Sequence, residues 1–294
     1  MKTLYVSDLD GTLLRRNKTV SEFTVNTINE LTKRGMLFSY ATARSYVSAG
    51  RMTAGITAHI PVIIYNGAFI LENGTRRKML FEHMPHADAH RVLDILLAHD
   101  IYPIVYAMVD GVEKYTHCPK LESQAAKTFE DGRPGDVRAN PVDDPAELYR
   151  GDIFNITCID DSEKMRPLYE QMKDEYQCLW FTDIYTGNRW FEILPTRATK
   201  ANAILRLKEM LGCDRVVCFG DAENDISMFQ IADECYAMAN AVDELKAIAT
   251  GVIGSNEEDG VAHFLRERMG EICARHWVKF EPKSTVFEVT RHEM

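Results

Sequence analysis

The chain has 294 residues, of which 46% are hydrophobic and 27% are charged, as is typical of a globular protein with about two domains. Its 44 acidic side chains outnumber 34 lysines and arginines, so the formal net charge at pH 7 is −10. This charge argues against nucleic acid as a partner, because sequence-independent binding to a phosphate backbone needs a basic surface. A small anionic ligand stays compatible with it, since a metal ion or one lysine can dominate the local field.

The sequence predicts neither a membrane segment nor a signal peptide. Its longest apolar stretch, residues 61–71, is interrupted by Asn66 and is too short to span a bilayer. The first residues lack the apolar segment and the cleavage site of a secretory signal. The seven cysteines include no Cys-x-x-Cys pair. We therefore expect reduced thiols, a cytoplasmic location and no zinc site built from cysteines.

Short apolar strands alternate with helical patterns in the first and last thirds of the chain. In the first third, helices are predicted to begin at Ser21 and at Ser45, and the hydroxyls of Ser21 and Thr24 suit a cap of the first of them. The predicted strands cover 4–6, 36–38, 62–65, 216–219, 235–238 and 252–253, and the later helices cover 200–211, 223–231, 243–249 and 261–268. Apolar strands that alternate with helices predict a parallel sheet covered on both faces.

The middle of the chain has a different pattern, with two hairpins among helices. The predicted order is helix 86–99, hairpin 101–118 turning at Asp110-Gly111, helix 121–129, loop 131–145, strand 153–159, helix 162–176 and hairpin 178–194. Three aromatic residues of the second hairpin are predicted core residues: Trp180, Phe181 and Trp190. We expect an antiparallel sheet with helices on one side. The predicted domains are 1–82 plus 195–294, and an inserted α+β domain over 83–194.

Polar residues follow the predicted strands of the parallel sheet at the points where those strands end. Asp8 and Asp10 follow the first strand, and Asp221 and Asp225 follow the strand over 216–219. Because the carboxyl ends of parallel strands share one edge, where ligands bind in such sheets, these residues should converge. The full set expected at this edge is Asp8, Asp10, Thr42, Asn66, Asp221 and Asp225.

Closely spaced carboxylates repel one another and stay ionised when a cation lies among them. All-oxygen ligation favours Mg²⁺, which binds a few carboxylates together with water and phosphate. The sequence therefore predicts a magnesium site that also receives phosphate. Thr42 and the backbone N–H groups after it, beginning with Ala43, would hold phosphate oxygens at a helix start. Lys200, which opens the first helix after the inserted segment, would complete the anion site.

Each of these motifs also has a purely structural interpretation. An isolated Asp-Gly-Thr is usually a turn, Thr42 alone is usually a helix cap, and a lone lysine is usually solvated. The two aspartate motifs together, each at a strand end, favour the functional interpretation. His83, His86 and His90 have a spacing that suits a metal, but hinge and surface histidines are commoner. The chain has no G-x-G-x-x-G and no Walker lysine loop, which argues against a dinucleotide-dependent oxidoreductase.

This pattern resembles the haloacid dehalogenase superfamily, and specifically its Cof-like phosphatases with a large type IIB cap. The resemblance covers residues 1 to about 268. Its four signatures occur in order as Asp8-Leu9-Asp10-Gly11-Thr12, Thr42, Lys200, and Gly220-Asp221 with Asn224-Asp225. The resemblance implies an α/β fold with a Rossmann-like parallel-sheet core and an inserted α+β cap. The chain departs from the family at three positions where glycine is common: Ala43, Ala201 and Ala239.

The resemblance also implies a role for each of these residues. Asp8 would be the nucleophile that forms an aspartyl-phosphate, and Asp10 would be the general acid and base. Asp8, Asp221 and the main-chain carbonyl of Asp10 would bind Mg²⁺, with Thr12 and Asp225 behind them. The groups that would contact phosphate are Thr42, Ala43, Asn66, Gly67, Lys200 and Asn224.

The implied function is Mg²⁺-dependent hydrolysis of a small phosphomonoester, with a sugar phosphate preferred. The acid at position 10 disfavours a carbon–halogen substrate, since dehalogenase members lack it. Two alternatives stay open: a phosphosugar mutase that uses the same intermediate, and a non-enzymatic phospholigand sensor. The sequence does not define the oligomeric state, the cap residues that set specificity, or the role of the tail 270–294. The piece Val286–Val289 in that tail fits either an extra strand or a contact surface.

Overall fold

The computed structural model describes residues 1–57, 61–183 and 186–277, with residues 271–277 described by their backbone alone. The residues from 278 onward, which include the Val286–Val289 piece, lie outside the described part of the chain. No helix among the described residues is both long enough and apolar enough to cross a membrane.

Fourteen strands and nine helices form within the described ranges. The strands are β1 (Thr3–Ser7), β2 (Leu37–Tyr40), β3 (Val62–Ile64), β4 (Phe69–Leu71), β5 (Lys78–Phe81), β6 (Ile104–Val109), β7 (Val112–His117), β8 (Ala139–Pro141), β9 (Asp152–Cys158), β10 (Gln177–Thr182), β11 (Arg189–Leu194), β12 (Arg215–Gly220), β13 (Glu234–Met238) and β14 (Gly251–Ile253). The helices are α1 (Glu22–Lys33), α2 (Tyr46–Met52), α3 (His86–Ala98), α4 (Gln124–Asp131), α5 (Ser162–Met172), α6 (Lys200–Leu211), α7 (Ile226–Ile231), α8 (Asp243–Ile248) and α9 (Gly260–Trp277).

A parallel sheet of five strands carries the carboxyl-end edge that the sequence predicts. Its strand order is β14-β13-β12-β1-β2, and every neighbouring pair is parallel. Successive residues of β1, from Leu4 to Ser7, are all buried, so helices or loops cover both faces of the sheet there. The predicted α/β fold with a parallel sheet is therefore confirmed.

The helices next to this sheet begin where hydroxyl side chains cap them. Ser21 Oγ accepts from the N–H of Thr24, and Ser45 Oγ accepts from the N–H of Ser48, so α1 and α2 begin as predicted. Helix α1 packs against α9, and α6 packs against α7.

A small antiparallel sheet, in the order β3-β4-β5, extends the parallel sheet on the side of β2. Among the residues that the structure describes, a single isolated bridge, between Ala41 and Ile63, joins β3 to the end of β2. The sequence analysis predicted the run 62–65 as a strand of the parallel sheet and missed β4 and β5. The cause is a tight turn at Tyr65–Gly67, which returns the chain antiparallel after only three strand residues.

The inserted segment forms a six-stranded sheet in the order β10-β11-β9-β6-β7-β8. All of its pairs are antiparallel except β7 with β8, which pair in parallel. Strand β8 falls in the predicted loop 131–145, because three residues ending in proline give a weak strand signal. The prediction that all helices lie on one side is wrong for α4. Phe129 of α4 contacts Trp190, on the face opposite to the one that α3 and α5 cover.

Two apolar clusters lie on the two faces of the six-stranded sheet. One cluster lies between its outer face and the helices α3 and α5, and includes Val92, Ile156 and Leu168. The other is continuous with the core of the parallel sheet and includes Tyr106 and Phe154 on the opposite, inner face. The chain passes between the two sheets after β5 and after β11. The domain boundaries 82/83 and 194/195 stay a prediction.

Glu192 generates a testable pH dependence of stability. It lies in β11 between Thr157 of β9 and Leu179 of β10, and it is 7% exposed. Burial raises the pKa of its carboxyl from 4.5 to about 7. Because the folded chain holds this proton more tightly than the unfolded chain, ionisation lowers the free energy of unfolding as pH rises from 4.5 to about 7.

We expect Glu192→Gln to raise the free energy of unfolding by about 2–3 kcal/mol at pH 8, because the amide needs no buried charge. At pH 4, where the carboxyl is mostly neutral in both states, the variant should nearly match the wild type. Urea unfolding at both pH values measures the difference. Glu244→Gln, at an exposed position of α8, is the control. A difference that is the same at both pH values would contradict the prediction.

Candidate active site

Three aspartates meet at the carboxyl ends of two neighbouring strands. Asp8 directly follows β1, and Asp221 directly follows β12, which pairs with β1. Asp225 ends the short turn Glu223–Asp225 that comes next. One carboxylate oxygen of each aspartate lies within 4.8 Å of one oxygen of the other two. Residues more than two hundred positions apart in the sequence therefore form one acidic group.

Lys200 lies inside this group with its side chain almost fully buried. Its Nζ donates to Asp8 Oδ1 at 2.5 Å and to Asp225 Oδ1 at 2.7 Å. The lysine is the first residue of α6, whose cap is the Thr199 side chain, which accepts from the N–H of Asn202. A buried ammonium needs such partners, because an unpaired buried charge is strongly unfavourable.

The charges of the site favour a further cation. Burial, and then the neighbouring carboxylates, raise the pKa of Asp8 well above its ordinary value, although Lys200 opposes the shift. Burial and the charge of Asp225 raise the pKa of Asp221 to about 7. One ammonium does not balance three carboxylates, so a bound cation would return both groups to their ionised form.

Gly11 and Gly220 allow the carboxylates to approach the backbone. Gly11 has a φ of +74°, and a Cβ there would lie 2.1 Å from Asp221 Oδ2. A Cβ at Gly220 would lie 2.6 Å from Asp225 Oδ2, which accepts from the N–H of Asp221 at 2.9 Å. Glycine is thus required at both positions by space, and at Gly11 also by its positive φ.

Asp10 is not one of the three grouped aspartates, and its carboxylate binds Arg44. The guanidinium donates from Nε to Asp10 Oδ2 at 2.6 Å and from Nη2 to Asp10 Oδ1 at 2.5 Å. Such a two-pronged contact fixes the plane of a carboxylate as well as its place. The sequence analysis did not include Arg44 among the site residues. The sequence shows that Arg44 lies close to Thr42 in the chain, but it does not show that Arg44 binds Asp10.

The turn Tyr65–Gly67 joins the Thr42 segment to the start of α6. The N–H of Asn66 donates to the carbonyl of Thr42 at 2.9 Å, and the hydroxyl of Thr42 accepts from the N–H of Arg44 at 3.1 Å. Gly67 has a φ of +105°, and a Cβ there would lie 2.3 Å from the carbonyl oxygen of Thr199. Thr42, Asn66 and Lys200 are therefore held together by backbone contacts.

The other predicted site residues lie around this centre. Thr12 Oγ1 donates to Asp221 Oδ1 at 2.8 Å, which supports the predicted place behind the aspartates. Ala43 is exposed, and Asn224 is half-buried in the turn that ends at Asp225. Asn240, which the sequence analysis gave no role, donates from Nδ2 to the carbonyl of Gly11 at 2.8 Å. It therefore supports the loop that holds Asp8 and Asp10.

The histidines His83, His86 and His90 do not form a comparable group. Their neighbouring rings lie 6.3 to 6.4 Å apart at the start of α3. Among the described residues, only the three aspartates Asp8, Asp221 and Asp225 bring metal-binding atoms together. The alternative histidine metal site has no geometric support.

The match to a known family agrees with this geometry. A model of the haloacid dehalogenase-like hydrolases matches residues 5–265, which is most of the chain and includes every aspartate of the site. The chain belongs to this family. The resemblance drawn from the four signatures is therefore confirmed, and the protein is a hydrolase of this fold.

The hydrolase is similar to named phosphatases along most of its length. It is 26% identical over 273 residues to 5-amino-6-(5-phospho-D-ribitylamino)uracil phosphatase YitU of Bacillus subtilis, covering 90% of this chain and 96% of the relative. It is 26% identical over 266 residues to pyridoxal phosphate phosphatase YbhA of Escherichia coli, covering 88% and 95%. The solved structure of TM0651 from Thermotoga maritima has a TM-score of 0.73 and 25% identity, covering 91% and 97%.

Gly11→Ala tests whether the glycine brings Asp221 into the acidic group of the hydrolase. The new methyl group displaces the carboxylate, so we expect Mg²⁺ binding, measured by titration calorimetry, to weaken at least about tenfold. Gly212→Ala is the matched control, since Gly212 has a φ of +60° but no atom within 4 Å of its Cβ position. It should lose about 1 kcal/mol of stability and keep Mg²⁺ affinity. Equal affinity in both variants would contradict the prediction.

Proposed function

We propose that this hydrolase is a Mg²⁺-dependent phosphatase that removes phosphate from a small phosphomonoester through an aspartyl-phosphate on Asp8. The observation that carries the proposal is the buried arrangement of Lys200 between Asp8 and Asp225, with Asp221 within 4.8 Å. It combines a nucleophile, a fixed positive charge and further carboxylate ligands in one place. That combination suits transfer of a phosphoryl dianion to a carboxylate.

The carboxylate oxygens fit a small divalent cation. Asp8 and Asp221 would hold Mg²⁺ together with the main-chain carbonyl of Asp10, while Asp225 is occupied by Lys200 and by the N–H of Asp221. Hard oxygen donors with room for water and phosphate are what Mg²⁺ prefers. When bound, the ion would neutralise negative charge on the phosphoryl group.

The first half-reaction would form a bond between Asp8 and phosphorus and break the bond to the leaving oxygen. Lys200 would balance the charge that the carboxylate and the phosphoryl oxygens bring together. Asp10, two residues further along the chain, would give its proton to the leaving oxygen. The leaving group would depart as a neutral alcohol.

The second half-reaction would return Asp8 to its starting state. Asp10 would take a proton from water while the water oxygen attacks phosphorus, and the bond between phosphorus and Asp8 would break. Arg44 donates to both oxygens of Asp10, so it would hold the ionised carboxylate in place for this proton abstraction. Inorganic phosphate would be the second product.

The remaining site residues would bind the phosphoryl oxygens. The hydroxyl of Thr42, the exposed backbone of Ala43 and the ammonium of Lys200 offer donors along the edge of the sheet. Asn66, Gly67 and Asn224 lie on the turns that flank it. The contact of Gly67 with Thr199 would keep these donors at a constant distance from Lys200.

A polar leaving group would face the inserted segment. The inner face of the six-stranded sheet lies beside the Tyr65–Gly67 turn, since the Tyr65 ring contacts Tyr106 and Phe154. Asn66 Oδ1, Asn155 Oδ1 and Trp190 Nε1 are buried without a hydrogen-bond partner among the described residues. Hydroxyl or amide groups of a substrate would satisfy such atoms.

The relatives named above support a phosphorylated metabolite of modest size as substrate. YitU is named for a phosphoribitylamino uracil and YbhA for pyridoxal phosphate. Both names describe a phosphate on a small polar molecule. We prefer a sugar phosphate for this hydrolase, because unpartnered polar atoms of both kinds suit hydroxyl groups, which donate and accept.

Phosphate release from a panel of phosphoesters tests the proposal. The panel contains sugar phosphates, nucleotides, cofactor phosphates and p-nitrophenyl phosphate, each with Mg²⁺ and with chelator. We expect Mg²⁺-dependent release, and a loss of at least about 10³-fold in Asp8→Asn. The variant should fold, because Lys200 keeps Asp225 as its partner. Asp243→Asn, at an exposed position of α8, is the control.

The outcomes distinguish the proposal from its alternatives. Activity retained in Asp8→Asn would exclude the aspartyl-phosphate. An isomerised phosphosugar in place of free phosphate would indicate a mutase. Tight binding of a phosphoester with no turnover, in folded and metal-loaded protein, would indicate a sensor.

Arg44→Lys tests the positioning of Asp10. Lysine keeps the charge but not the two-pronged geometry, so we expect kcat to fall about tenfold. In an Asp10→Asn background the same substitution should add little further loss, because the two residues act as a unit. Arg15→Lys, at the separate contact of Arg15 with Asp259, is the control. Losses that multiply independently in the double variant would show that Arg44 does not act through Asp10.

A further inference from the structure

Tyr65 adopts an unusual backbone conformation beside the proposed phosphate site. Its φ is +49°, and the next two residues, Asn66 and Gly67, also have positive φ. The left-handed region is natural for glycine and tolerable for asparagine, but it is unfavourable for a tyrosine. A conformation of this kind persists where surrounding contacts impose it.

The hydroxyl of Tyr65 makes those contacts with the inserted segment. It donates to Glu113 Oε1 at 2.6 Å and accepts from Arg138 Nη1 at 2.8 Å. Arg138 Nη1 also donates to Glu113 Oε1 at 2.8 Å, which closes a triangle of hydrogen bonds. Asp136 holds the other nitrogens of Arg138 at 2.6 and 2.9 Å. The tyrosine therefore meets a pair of residues whose own geometry is fixed.

The ring of Tyr65 lies among aromatic residues of the same segment. It contacts the ring of Phe154 edge-on at 5.0 Å and the ring of Tyr106 at 5.7 Å. The residue is only 4% exposed. A side chain that begins at the end of β3 is thus enclosed by the inner face of the six-stranded sheet.

The backbone of the same turn contacts the catalytic side of the molecule. The N–H of Tyr65 donates to the carbonyl of Arg44 at 3.1 Å, and the N–H of Asn66 donates to the carbonyl of Thr42. Gly67 lies against the carbonyl of Thr199, the residue before Lys200. One strained turn therefore connects the inserted segment with the segments that hold Asp10 and Lys200.

We propose that Tyr65 is a positioning residue whose contact with Glu113 and Arg138 holds the turn Tyr65–Gly67, and through it Thr42 and Lys200, in the arrangement needed for catalysis. The inference rests on the proposed phosphatase function. It gives the inserted segment a part in assembling the catalytic edge as well as in contacting the leaving group. If this triangle of hydrogen bonds is broken, the contacts that impose the left-handed backbone of Tyr65 are lost, and the turn relaxes.

The test compares variants at both ends of the contact. Tyr65→Phe removes the hydroxyl but leaves Glu113 paired with Arg138. Glu113→Ala removes the acceptor, while Glu113→Gln retains an oxygen that accepts. With p-nitrophenyl phosphate and Mg²⁺, we expect kcat to fall about tenfold in Tyr65→Phe and in Glu113→Ala, with KM changed less than threefold. Glu113→Gln should recover most of kcat, and the double variant Tyr65→Phe, Glu113→Ala should be no slower than either single one.

Hydrogen exchange provides a second readout that does not require turnover. In the Mg²⁺-loaded protein, the amide of Asn66 should exchange faster in Tyr65→Phe and in Glu113→Ala than in the wild type, because its bond to Thr42 weakens. Tyr236→Phe is the matched control. It removes a tyrosine–glutamate hydrogen bond of 2.7 Å between Tyr236 and Glu234, both within β13. It should leave kcat and the exchange of Asn66 unchanged.

Two results would overturn the inference. One is a kcat within twofold of the wild type in both Tyr65→Phe and Glu113→Ala. The other is a fall in kcat without faster exchange at Asn66, which would show that the hydroxyl does not act through the turn. If Tyr65→Phe does not fold, the two Glu113 variants decide the question. If the wild type hydrolyses no phosphoester, the proposed function fails, and the exchange measurements alone decide the role of Tyr65.

Discussion

The buried ion pairs of Lys200 set the conditions for the rest of the structure. An ammonium with a side chain 1% exposed is stable only while Asp8 and Asp225 keep their places, at 2.5 and 2.7 Å. Two loops from neighbouring strands and the start of α6 must therefore meet at one point. Gly11, Gly220 and Gly67 lie where a Cβ would prevent that meeting. The ion pairs of Lys200 therefore depend both on the charges of the site and on the glycine backbone of its loops.

Local signals explain why much of the fold was predictable. Ser21 and Ser45 cap helices at the predicted residues, and α6 covers the predicted range Lys200–Leu211. Strands β1 and β12 of the parallel sheet are buried on both faces, so they read as continuous apolar runs. Polar residues that end such runs lie together by topology alone, which is why Asp8, Asp221 and Thr42 could be placed at one edge without knowledge of the structure.

The remaining features depend on contacts between distant residues. A left-handed tyrosine at position 65 follows from Glu113 and Arg138, and no local pattern indicates it. The pairing of Asp10 with Arg44 likewise depends on how two loops face each other. Strands β4, β5 and β8 have three or four residues, too few to show a period. Helix α4 lies on the inner face because Phe129 meets Trp190, a contact across sixty positions.

The pairing of β1 with β12 has a consequence for synthesis of the chain. Strand β1 leaves the ribosome first, but its partner Arg215–Gly220 follows only after the whole inserted segment. During that interval Asp8 has been made and Lys200 has not. The inserted segment packs one face of its sheet against α3 and α5 in an apolar cluster of its own. That packing needs no residue of the parallel sheet. The catalytic edge can therefore be completed only after the inserted segment has been made, when α6 and β12 follow it.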